Sequence, residues 1–156
     1  MKLVLLAWAL MIWMGCALAG DEPAEDVQSV KIYTSEESFE DVVENVKMAI
    51  IERGMLVSGT LHVSDMLNRT APDLGFSEVF THAESVEFCS ALISHKMAQA
   101  APENIVNCPF TIAVYVRADE PNQVYAAYRR PQLAGEAKEA TRAILEMLDG
   151  IVRDSI

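Results

Sequence analysis

The sequence predicts an α+β domain: a mainly antiparallel sheet of about five strands, with two long helices packed on one face and two short helices between strands. Three observations lead there. Apolar residues recur at helical spacing in two long stretches, Phe39 to Ile50 and Ala137 to Ile151. Shorter stretches alternate apolar and polar residues with the period of a half-buried strand. The strands after the first helix follow one another with only short excursions, which suits antiparallel neighbours with helices gathered on one side.

Taken in order, Met1 to Ala19 reads as a secretory signal peptide. Lys2 supplies a positive start, Leu3 to Trp13 is uninterrupted and apolar, and Ala17-Leu18-Ala19 is a small-residue cleavage site before Gly20. The alternative is an uncleaved anchor, because the run approaches the length that spans a bilayer. The cleavage site and the abrupt change to Gly20-Asp21-Glu22-Pro23 favour removal. Residues 20–27 then form a flexible acidic leader, and 28–154 form a single domain.

Val27 to Thr34 alternates Val30, Ile32 and Thr34 against Ser29, Lys31 and Tyr33, a first strand. Thr34-Ser35-Glu36-Glu37 offers a capping box and Ser38 a second N-cap. Phe39, Val42, Val43, Val46, Ala49 and Ile50 then make the apolar stripe of a helix that ends at Gly54. Met55 to Val63 alternates as a second strand, with Gly59 marking a bulge or close approach and His62 on the more polar side. Ser64-Asp65 caps a short helix that Pro72 and Gly75 terminate. Phe76 to Ala83 reads as short and irregular, with His82 in this loop.

Ser85 to Cys89 is the third strand, and Ser90 caps a short helix from Ala91 to about Ala100, broken by Pro102 and Asn104. Phe110 to Arg117 and Gln123 to Arg130 alternate as a hairpin about the turn residues Asp119, Glu120, Pro121 and Asn122. Val124, Ala126 and Tyr128 share one face of the returning strand, and Tyr125, Ala127 and Arg129 the other. Pro131 and Gly135 precede the last helix, with Ala140, Ile144, Met147, Leu148 and Ile151 on its apolar stripe.

A net charge of −11 on 156 residues argues against a nucleic-acid partner and against anionic membrane surfaces once the signal is removed. No phosphate loop, dinucleotide fingerprint, serine-nucleophile elbow or HExxH run occurs, so no catalytic residue is assigned. The chemistry-bearing stretch is Phe88 to Phe110, which holds Cys89, His95 and Cys108. Cys16 leaves with the signal, and the two remaining cysteines sit in an oxidising compartment.

Three readings stay open for that stretch: a Cys89–Cys108 disulfide, a soft metal or haem site on Cys89, His95 and Cys108 with Met97 as a thioether ligand, or two inert buried thiols. A Cys89–His95 nucleophile pair lacks both an oxyanion hole and an orienting group. On the sheet face away from the long helices, Tyr115, Tyr125 and Ala127 line a pocket or an association surface. Arg129-Arg130-Pro131, with Arg117 nearby, offers a planar fork to an anion.

The resemblance is carried by Glu52-Arg53-Gly54, Ser58-Gly59, Phe88-Cys89 followed by Ser94-His95-Lys96-Met97, Cys108-Pro109-Phe110-Thr111 entering Ile112-Ala113-Val114-Tyr115, and Val124-Tyr125 running to Tyr128-Arg129-Arg130-Pro131. With these residues the chain, from about Val30 to Ile151, resembles the domain-of-unknown-function 302 family. That resemblance implies a compact TATA-binding-protein-like or helix-grip fold, often oligomeric, with no assigned enzyme activity. The expectation is a secreted or periplasmic non-enzymatic domain without a cofactor, binding a small ligand or partner protein through Tyr115, Tyr125 and Arg129. The alternative is a redox, metal or haem protein built on Cys89, His95 and Cys108.

Overall fold

A computed structural model of the protein describes residues 29–156. The expected signal peptide and leader, residues 1–27, lie outside the described residues. The strands are β1 (Val30–Ser35), β2 (Leu56–His62), β3 (Phe80–Cys89), β4 (Phe110–Arg117) and β5 (Val124–Arg129). They form one antiparallel sheet in the order β1-β5-β4-β3-β2. The helices are α1 (Phe39–Glu52), α2 (Val63–Leu74), α3 (Ala91–Ala100) and α4 (Lys138–Arg153), with a 3-10 helix over Pro102–Asn107. Among the described residues no helix is long and apolar enough to cross a membrane.

α1 and α4 pack side by side on one face, as their apolar stripes require. Val42, Val46 and Ile50 of α1 and Ile144, Leu148 and Ile151 of α4 are fully or almost fully buried against Val86, Phe88, Ile112, Val114 and Ala126 of the sheet. Each such side chain contributes roughly 1.5–3 kcal/mol of transfer free energy. We call this the inner face. Ser38 caps α1, its hydroxyl accepting from the Asp41 N–H at 3.1 Å. The alternative box on Thr34 is not used, because β1 continues to Ser35 and keeps Thr34 in the ladder opposite Tyr125.

Several expectations need correction. β3 starts at Phe80 rather than Ser85, and a register shift between Phe80 and His82 hides the alternation over its first residues. His82 is therefore in a strand, not a loop, and its ring stacks on Phe39 with centroids 5.1 Å apart. α2 runs through Pro72 to Leu74, and it is Gly75 that closes the helix. Its N-cap position is His62, with no side-chain cap. The bulge expected at Gly59 is present, between Val57 and Gly59, so Val57 pairs with Phe88 on the inner face while Leu61 falls on the outer. In β1, Val30 and Ile32 are exposed on the outer face, and Lys31 and Tyr33 turn inward.

The segment after α3 is anchored rather than merely broken. Asn104 is 2% exposed; its Nδ2 donates to the carbonyls of Met97 (3.1 Å) and Ala134 (3.0 Å), and its Oδ1 accepts from the Ala134 N–H (2.8 Å). Gly135 completes the junction. It has φ of 73°, and a Cβ there would lie 2.5 Å from the Ala100 carbonyl oxygen, a contact no side chain can make. Replacing Asn104 by Ala strands buried backbone groups, and should lower the free energy of unfolding by about 2 kcal/mol in urea titration. A change below a few tenths would show that water takes over the three bonds.

Candidate functional site

The β4–β5 ladder stops at the pair Ile112–Tyr128, although β3–β4 pairing continues to Phe110. Pro109 has no N–H to donate and Pro131 none on the other strand, so the two strand ends are not held together beyond that pair. A slot of about 390 Å³ lies there. Thr111, Ala113, Ala127 and Arg129 line it from the outer face, Phe110 and Tyr128 from the inner strand positions, and Ile144 and Leu148 from α4. Val106, Asn107 and Pro109 form the wall on the side of the 3-10 helix, and Val30 the side of β1. The volume lies in the usual range for small-molecule sites, roughly 300–1,000 Å³.

Of the three residues expected to bind a ligand, Arg129 lines this slot and is exposed. Tyr115 and Tyr125 do not. They pair across β4 and β5, and their rings stack at 5.1 Å with an interplanar angle of 11°. Arg117 lies over Tyr125 at 4.5 Å and bonds Glu120 at 3.1 Å. The Tyr125 hydroxyl donates to the same carboxylate, which pushes its pKa above the ordinary value. This is a closed network that seals the outer face, four residues along β5 from Arg129, or about 13 Å at the strand repeat. Arg117 therefore does not join Arg129 in an anion site. Arg130 is also absent from the slot lining, and its Nε is buried without a hydrogen-bond partner among the described residues.

Of the three readings open for the cysteine-bearing stretch, the structure holds the disulfide. Cys89 and Cys108 form a disulfide with Cα atoms 6.1 Å apart. The ladder explains the approach: Phe88 pairs with Phe110, so the next residue of β3 lies beside the entry to β4. Met97 is fully buried in the core under the sheet, whereas His95 is exposed on α3. Among the described residues no group of three or more His, Cys, Asp or Glu side chains stands close enough to hold a metal ion.

A polar cluster that the sequence reading missed lies between β1, β5 and α4. The Asp149 carboxylate accepts from Lys31 Nζ at 2.6 and 2.8 Å and from the hydroxyls of Tyr33 and Tyr128. Burial alone would raise its pKa, but the three donors outweigh that effect and hold it at about 2. Burial first, and then donation to Asp149, pushes the Tyr128 hydroxyl far above its ordinary value, while the bond with Asp149 raises Lys31. One sign was readable. Tyr128 falls on the inward column with Val124 and Ala126, and a buried phenol needs a hydrogen-bond partner. Every donor here is already satisfied by one carboxylate, which is the arrangement of a structural pin.

Comparison with known proteins agrees with this architecture. A crystal structure of an uncharacterized conserved DUF302 protein from Bacillus stearothermophilus superposes with a TM-score of 0.68 at 13% identity, covering 82% of this chain and 98% of that one. At that identity the likeness shows the fold. No curated protein matches. The model of the family described as domain of unknown function DUF302 matches residues 31–154, nearly all of the described chain, and the protein belongs to that family.

Proposed function

We propose that the protein is a non-enzymatic binding domain, exported to the periplasm or secreted, that takes a small ligand in the slot at the end of the β4–β5 ladder. The observation that carries this is the meeting, in one slot of about 390 Å³, of Arg129 with Val106, Asn107, Pro109 and Thr111 beside the disulfide. Apolar walls with a few convergent polar groups are what small-molecule sites share. Ala113→Trp fills the slot from the sheet face. A small molecule identified by mass spectrometry in extracts of the wild-type protein should be missing from that variant; equal amounts in both would overturn the slot as the site.

Export and self-association complete the proposal. Cleavage after Ala19 predicts a mature protein whose N-terminal sequence starts at Gly20, and a chain that keeps Met1 would sink it. A second copy packed on the outer face would cover Val30, Ile32 and Leu61, each more than 40% exposed. Light scattering giving a dimer mass supports this, and a monomer at tens of micromolar does not.

One observation favours a second reading. Cys89 immediately precedes Ser90, the N-cap of α3, where free N–H groups stabilise a thiolate once the bridge is reduced. In that reading the pair is a thiol–disulfide couple. Equilibration with glutathione buffers decides it: a bridge that resists reduction by the glutathione pool is structural.

A further inference from the structure

We infer that the ligand of the slot is a small molecule with an apolar body and a single carboxylate, and that Arg129 is the residue that receives the carboxylate. The inference rests on the reading of the slot as the binding site. Its apolar surface comes from Val30, Phe110, Ala127, Ile144 and Leu148, and its polar side chains include Asn107, Thr111 and Arg129. Among the described residues Arg129 is the only cation lining it.

Three other arginines are committed: Arg53 pairs with Asp154, Arg117 with Glu120, and Arg142 lies 3.9 Å from Glu146. Arg69, Arg130 and Arg153, like Arg129, have no carboxylate within ion-pair distance among the described residues, but none of them lines the slot. Arg129 has no carboxylate within ion-pair distance among the described residues. Glu87 lies across Thr111 on the same face, but it leans the other way. Its Oε2 is 3.4 Å from where a Cβ on Gly59 would stand, so the bulge in β2 accommodates it away from Arg129. One uncommitted guanidinium beside apolar walls presents five donors and no acceptor. That donor set matches one planar carboxylate, because the fork can engage both oxygens. A polyanion fits poorly, since a lone arginine must hold it against a chain of net charge −11.

The test is an NMR titration of the whole mature protein with three molecules of matched chain: octanoate, 1-octanol and octylamine. Octanoate should bind in the slot, 1-octanol at least tenfold more weakly, and octylamine not measurably. Arg129→Gln should weaken octanoate about tenfold or more and leave 1-octanol unchanged; Arg129 is exposed, so the fold should persist. Arg129→Lys should keep part of the octanoate affinity, because the charge remains and the fork is lost. Octanol binding as well as octanoate, or octanoate indifferent to Arg129→Gln, overturns the carboxylate assignment. If both molecules are then still lost on Ala113→Trp, or on the exposed Thr111→Trp, the slot reading itself survives. If none of the three binds the wild-type protein, both the slot and its ligand class are wrong.

Discussion

Replacing Cys89 and Cys108 together by alanine should lower the free energy of unfolding by about 3 kcal/mol. The bridge joins residues 19 apart in sequence, and closing a loop of that size in the unfolded chain removes entropy of about that magnitude. The loop encloses α3 and the 3-10 helix, so the effect also bears on the slot, whose wall includes Val106, Asn107 and Pro109. Urea titration of oxidised protein, reduced protein and the double variant measures it. The reduced protein should fall close to the variant, and adding reductant to the variant should change nothing. Oxidised and reduced midpoints that coincide would show that the bridge does not constrain the unfolded chain.

Asp149→Ala should cost a similar amount, about 3 kcal/mol. It removes the shared acceptor of Lys31, Tyr33 and Tyr128, and leaves the almost fully buried Tyr128 hydroxyl without a partner. The charge accounts for about 2 kcal/mol of this, from a carboxyl held at about 2 against an ordinary 3.8. The sign follows from linkage. A carboxyl with a depressed folded pKa stabilises in full above pH 4, and that contribution fades as pH falls toward and below 2. Wild type should therefore lose about 2 kcal/mol more than Asp149→Asn over that interval. Parallel stability curves for the two proteins would rule out the carboxylate as the pin. Lys31, whose pKa is raised by the same contact, contributes in the opposite direction, with stability present below its unfolded value and lost at high pH.

Where a single face of an element is apolar and the pattern is unbroken, local reading sufficed. α3 and β4 begin and end where the alternation and the Ser90 cap place them, and β5 sends Val124, Ala126 and Tyr128 to the core as their spacing implies. The first residues of β3 were illegible because its register shift near Phe80 interrupts the period-2 pattern. β1 misled for another reason. Val30 and Ile32 look like its core face, but the β5 register opposes them to Arg129 and Ala127 on the outer side.

The candidate site divides along the same line. The arginine pair before Pro131 is visible in the sequence, but which of the two lines the slot depends on where the β4–β5 ladder stops. The Asp149 pin was not visible, because Lys31 and Tyr33 of β1 and Tyr128 of β5 are brought to one carboxylate of α4, a different element from either strand.

By itself the sequence determined the α+β class, the two long helices on one face, the central hairpin and the acidity of the chain. All of these depend on local periodicity, turn chemistry or composition. Only the tertiary structure decided that Cys89 meets Cys108, that Tyr115 and Tyr125 spend their faces on each other, and that a slot opens beside Arg129. Each depends on which residues the β3–β4 and β4–β5 registers set opposite one another and on where the second ladder stops, and pairing across strands leaves no trace in the period of either strand alone.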